Sequence, residues 1–100
     1  MVKHVILWKL KDEFPLEEKQ QIKLNAKAAL ESLLGKIDGL TEIKLNISPM
    51  EPSNAEMMLD STFTSVDALK AYQVHPDHVE VANKFVRPFT CERFLFDFEE

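Results

Sequence analysis

The chain has 100 residues, which accommodates a single domain over residues 1–100. Hydrophobic residues make up 45% and charged residues 29%, a globular mix that excludes a disordered chain. Seventeen acids against twelve bases leave a net charge of -5, which argues against nucleic acid and against an anionic membrane surface as partners.

Val2 to Leu10 reads as a first strand, with Val2, His4, Ile6, Trp8 and Leu10 on one face and Lys3, Val5, Leu7 and Lys9 on the other. Pro15 suits a first helical position, and Glu17 and Glu18 suit the positive end of a helix. Ile22, Ala26, Ala29, Leu30, Leu33 and Ile37 then recur at three- and four-residue steps. Lys19, Lys23, Lys27 and Glu31 line a solvated side, and Gly35 is a candidate stop. After the Asp38-Gly39 turn, Thr41 to Ser48 alternates as a half-buried strand, with an edge position open to it. Residues 49–54 form a loop, and Glu56 to Phe63 is a third strand. Thr64 or Ser65 caps a second helix through Leu69 and Tyr72, with Asp67 placed to complete a capping box from Thr64. Pro76 pushes His75 out of the helical region and restarts a helix that carries Val79, Ala82, Phe85 and Val86. Cys91 to Phe98 is a fourth strand, with Phe94, Phe96 and Phe98 on one face.

This β-α-β-β-α-β order predicts an α+β, ferredoxin-like protomer: a four-stranded antiparallel sheet with two helices on one face. The other face, roughly 450 Å² in projection for four strands about 23 Å long, would carry the phenylalanine row with Met58 and either Val5 and Leu7 or their opposite set. A monomer seldom exposes a contiguous apolar patch larger than a few hundred Å². The expected cover is the same face of a second copy, giving a homodimer as a dimeric α+β barrel.

Cys91 is the only cysteine, so no internal disulfide forms. It has no base beside it and reads as a small core residue. The opening Met1 to Leu10 is interrupted by charges and lacks a small-residue cleavage site, and no apolar stretch approaches membrane-spanning length. The expectation is a soluble cytoplasmic protein.

Four polar residues could do chemistry: His4 on the inner strand face, and Tyr72, His75 and His78 around the helix break. A phenol can hydrogen-bond a carbonyl, and an imidazole can take a proton near neutral pH. Each also has a purely structural reading, as a satisfied core histidine, a packed ring or a helix cap. His75 and His78 with Asp77 or Glu80 are too few for a metal site. Two glycines exclude a phosphate-binding loop, and no dinucleotide fingerprint is present, so no cofactor is expected.

The opening Lys3-His4-Val5-Ile6-Leu7-Trp8-Lys9-Leu10-Lys11-Asp12 resembles the start of the stress-responsive A/B barrel (Dabb) family. So do Phe63-Thr64-Ser65 with Leu69, Ala71-Tyr72-Gln73-Val74-His75-Pro76-Asp77-His78, Arg87-Pro88 and the closing Phe96-Asp97-Phe98. The resemblance spans essentially the whole chain, and its most specific piece is Tyr-x-x-His-Pro-x-His. It implies a ferredoxin-like protomer that dimerises through its sheets. Many members have no assigned activity; plant members include stress-induced proteins and a polyketide cyclase that closes a linear chain by aldol condensation. On that resemblance Tyr72 would orient a carbonyl, His78 would be the base and His4 would be a pocket histidine. Met57 stands where the cyclase has a further histidine, and a thioether cannot move a proton.

Three readings follow. The first is a homodimeric protein that binds a small, largely apolar molecule between helices and sheet, in a pocket lined by His4, Ile6, Trp8, Leu59, Tyr72, His75 and His78. The second is an enzyme acting on a carbonyl compound, by cyclase-like condensation or cofactor-free oxygenation, through Tyr72 and His78. The third is a structural, stress-protective dimer.

Overall fold

The computed structural model describes all 100 residues. The elements are β1 (Val2–Leu10), α1 (Leu16–Glu31), β2 (Leu40–Asn46), β3 (Met57–Phe63), α2 (Val66–Val74), α3 (Pro76–Val81) and β4 (Thr90–Glu99). A π-helical turn (Ala82–Val86) and a 3-10 turn (Arg87–Phe89) join α3 to β4. The strands lie in the order β2-β3-β1-β4, every neighbouring pair antiparallel. This is the split β-α-β arrangement of the ferredoxin-like fold, as the element order implies.

The alternation of β1 decides which face is inside. Val2, His4, Ile6, Trp8 and Leu10 are buried under the helices, while Lys3, Val5, Leu7 and Lys9 are half-buried on the opposite face. Ile22, Ala26 and Leu30 of α1 meet that inner face, as do Leu69 and Tyr72 of α2.

Several boundaries differ from expectation. Pro15 is the residue before α1, extended at ψ 162, because its ring favours that conformation where the helix begins. The helix ends at Glu31, before Gly35; Leu33 and Ile37 still reach the core, from a turn rather than a helix. Gly39 adopts φ +85, and a Cβ there would lie 2.5 Å from the Ala68 Cβ. Ser65, not Thr64, caps α2 by accepting a hydrogen bond from the Ala68 amide, so the capping box from Thr64 is not formed. Cys91 is exposed, contrary to the core reading, because β4 is an edge strand.

Both edges of the sheet are informative. At β2, Lys27 donates to the Leu45 carbonyl at 2.9 Å and Glu31 accepts from the Leu45 amide at 2.9 Å, so α1 clips the outward peptide groups of the strand. These two residues are thus not simply solvated. At β4 the helices do not reach. Leu95 on the inner side is 44% exposed, and Phe94, Phe96 and Phe98 on the outer side are 65%, 68% and 38% exposed. Pairing of Val5 with Phe96, and of Leu7 with both Phe94 and Met58, makes one contiguous apolar band on the uncovered face. No helix is long and apolar enough to cross a membrane.

Candidate functional site

Local chain chemistry assembles the site. Leu69 and Tyr72 stand three apart on α2, hence on one helix face, and are its two buried residues. Pro76 then forces His75 into an extended conformation with ψ 133, which ends α2, and occupies the first position of α3. The resulting change of direction folds His78 back over Tyr72, with ring centroids 4.1 Å apart and planes inclined at 35°. The Tyr72 ring also lies 4.9 Å from Phe63 and 6.1 Å, edge-on, from His4. His4 comes from the inner face of β1, and its Nδ1 lies 2.5 Å from Asp97 Oδ1 on β4.

The polar atoms of this cluster are unequally satisfied. The Asp97 carboxylate accepts from His4 Nδ1, which fixes the proton on that nitrogen and the ring's orientation. Ser61 donates to the His4 backbone carbonyl at 2.9 Å. By contrast, the Tyr72 hydroxyl and His78 Nδ1 are buried and hydrogen-bond to no protein atom. Leaving a buried polar group unpaired costs on the order of 1–3 kcal/mol.

Burial also sets the protonation states. Desolvation pushes the Tyr72 phenol far above its ordinary value, so it remains a hydrogen-bond donor at physiological pH. Desolvation lowers the His78 pKa; the Gln73 backbone opposes this, and the positive charges of Arg87 and Arg93 reinforce it, together with His4. His78 is therefore a neutral imidazole at pH 7, able to accept a proton, beside a phenol able to donate a hydrogen bond. That pairing suits a carbonyl or hydroxyl group of a small molecule.

The sequence-selected residues fall into three groups. His4, Tyr72 and His78 come together. His75 sits at the helix break, where its Nδ1 accepts from the Asp77 amide at 3.1 Å. Ile6, Trp8 and Leu59 are buried in the hydrophobic core beside the cluster. None of the four main surface hollows is lined by His4, Tyr72 or His78; the cluster is packed over. Sequence reasoning missed Asp97, which is 93 positions from His4. Strand register held the signal, since β4 runs antiparallel beside β1 and puts Asp97 opposite His4. It also missed Arg87 and Arg93 as charges acting on His78. No group of three or more His, Cys, Asp or Glu side chains is arranged to hold a metal ion.

Comparison with known proteins gives the following. The profile of the Stress Responsive A/B Barrel Domain family matches residues 2–100. A dimeric protein of unknown function and ferredoxin-like fold from Bacteroides fragilis is 32% identical, with a TM-score of 0.91 over 99% of this chain and 95% of that one. A dimeric ferredoxin-like protein of unknown function from Thermobifida fusca is 21% identical, with a TM-score of 0.78 over 97% of this chain and 88% of that one. A hydroxynitrile lyase from Passiflora edulis is 19% identical, with a TM-score of 0.74 over 97% of this chain and 90% of that one. The search of curated proteins returned no match.

Proposed function

We propose, from the premise that the chain belongs to the stress responsive A/B barrel domain family, that it is a homodimer with a small-molecule site in each subunit. The dimer forms through the uncovered sheet face. The site lies between helices and sheet at Tyr72 and His78, with His4, Ile6, Trp8, Leu59 and His75 around it, and takes a largely apolar molecule bearing a carbonyl or hydroxyl oxygen.

The observation that carries this reading is the pair of orphaned polar atoms, Tyr72 Oη and His78 Nδ1, on two rings 4.1 Å apart. Native proteins rarely leave buried polar groups unpaired, and such exceptions gather at functional sites. A ligand oxygen that accepts from Tyr72, with a donor group facing His78, would satisfy both. The covering element is lightly held: α3 contributes no fully buried residue and lies between the His75 break and the π-helical turn. Its displacement would admit the ligand. The dimer is supported by the exposed Phe94, Phe96 and Phe98 row and by the dimeric relative at 32% identity.

The test is a thermal-shift screen of apolar carbonyl compounds and mass spectrometry of what co-purifies. Hits should raise the melting temperature of the wild type but not of Tyr72→Phe or His78→Ala. Hits that stabilise all three proteins equally would remove the site.

A catalytic reading has one observation in its favour. A neutral imidazole and a protonated phenol side by side form a base and an oxygen-orienting donor, the pair needed to move a proton next to a carbonyl. A hydroxynitrile lyase has the same fold. On this reading Tyr72→Phe and His78→Ala abolish turnover with the melting temperature nearly unchanged.

A further inference from the structure

Away from the Tyr72–His78 cluster, the uncovered sheet face carries a built hollow at the end where the β2–β3 loop stands. Its volume is about 350 Å³, within the size range of small-molecule sites. Leu7 and Met58 form an apolar floor and Pro49 a wall. Asn46, Ser48, Ser53 and Asn54 supply uncharged amides and hydroxyls. A second hollow of about 250 Å³ adjoins it across the sheet, between Trp8, Lys9, Glu92 and Phe94. The two share Leu7, Asn54 and Ala55, so together they form one trough from β2 to β4 with the end of the loop at its middle.

Three features argue for a ligand site here. The loop over residues 47–56 is longer than the two to five residues that join antiparallel neighbours, and long ordered loops are commonly functional. Its end is tied to β1 through the Glu56 amide to the Trp8 carbonyl at 2.9 Å, and it turns on itself through the Ser53 amide to the Met50 carbonyl at 2.8 Å. Methionine at the floor adapts its shape to an occupant.

Charge narrows the class of occupant. The Glu56 carboxylate is engaged away from the trough, accepting from the Leu10 amide at 2.9 Å and lying 3.5 Å from Lys19 Nζ. Lys9 and Glu92, at the far end, face each other at 4.0 Å. The trough therefore offers apolar surface and neutral hydrogen-bonding groups, with no uncompensated charge. Three strand spacings make it about 14 Å long.

We infer that this trough binds an uncharged, elongated apolar molecule with a hydroxyl or carbonyl oxygen at its loop end, and that the second subunit completes its roof. The inference rests on the sheet-face dimer proposed above. Leu7, Met58 and Phe94 lie on the same face as Phe96, so the partner sheet, about 10 Å above, closes over them. A ligand held by both subunits tightens the dimer by the same factor with which the dimer tightens the ligand.

The test uses the full chain and N-phenyl-1-naphthylamine, an uncharged elongated fluorophore, with sedimentation velocity in parallel. The expected result is saturable binding and a dimer dissociation constant lowered by the probe. Asn54→Trp and Ala55→Trp, two loop substitutions that fill the trough, should each weaken binding about tenfold or more. Ala28→Trp, an exposed substitution on α1 away from both proposed sites, should bind the probe as the wild type does. Unchanged affinity in both loop variants, or an equal loss of binding in Ala28→Trp, overturns the trough while leaving the dimer intact. Sedimentation of the wild type as a monomer at micromolar concentration overturns the dimer reading on its own.

Discussion

At the Tyr72 hydroxyl, one substitution tests a structural role against the proposed ligand-binding one. It is fully buried and unpaired, so Tyr72→Phe removes a desolvated polar atom and keeps the ring packing on Phe63 and His78. Stability without ligand should be unchanged or higher by about 1 kcal/mol in urea denaturation, while ligand-induced stabilisation is lost. A loss of stability would mean that the hydroxyl serves the fold. His78 gives a pH signature. Its pKa is lowered in the folded protein, chiefly by burial, so between that lowered value and 6.5 the unfolded chain binds a proton that the native state does not. Its contribution is therefore at its best above pH 6.5 and declines as pH falls through that window. Comparing urea midpoints at pH 7.5 and pH 5.5 in wild type and His78→Ala should show a smaller drop in the variant.

At the scale of elements, two close approaches can be tested. Gly39 combines a positive φ with an Ala68 Cβ only 2.5 Å from where its own Cβ would be, so the turn into β2 presses directly on α2. Gly39→Ala should cost about 2 kcal/mol or more, read as a melting temperature roughly 8–16 °C lower. The β2 edge is protected by α1. Burial resists a charge on Glu31, but Lys27 and the Leu45 amide outweigh it and hold the carboxyl below its ordinary 4.5. That contribution is complete above pH 4.5 and is lost as pH falls through the lowered folded value. Glu31→Gln should flatten the acid limb of the stability curve and leave the Leu45 peptide open to edge pairing, measurable as faster aggregation at neutral pH. The α2–α3 break shows how much of the site was legible at this scale. Pro76 alone announced it, and a break after Tyr72 with His78 one turn beyond brings the two rings of the candidate site together. The π-helical turn that follows could not be read, because residues 82–86 have ordinary helical spacing and only packing decides the wider turn.

For the whole molecule, the governing fact is a sheet wider than its helical cover. Helices α1 and α2 shield β2, β3 and β1, and β4 extends beyond them with apolar residues on both sides. Phe96 sits centrally in the exposed row, opposite Val5. Phe96→Asp places a charge in the proposed interface from both subunits and should raise the dimer dissociation constant about a hundredfold or more, with the monomer still folded by circular dichroism. Sedimentation equilibrium across a dilution series reads it directly. A variant as dimeric as the wild type would show that another surface holds the subunits together.

The order of elements, the inner and outer faces of β1, the helix break at Pro76 and the phenylalanine row are all legible in the amino-acid pattern, because each follows from local periodicity or from the geometry of one residue type. Packing of the folded chain settles that Asp97 meets His4, that Tyr72 and His78 keep buried polar atoms without partners, that Cys91 is exposed, and that a hollow forms beside Leu7. These depend on strand register and on how far the helices extend across the sheet. Both are settled by contacts between residues tens of positions apart, which no local pattern encodes.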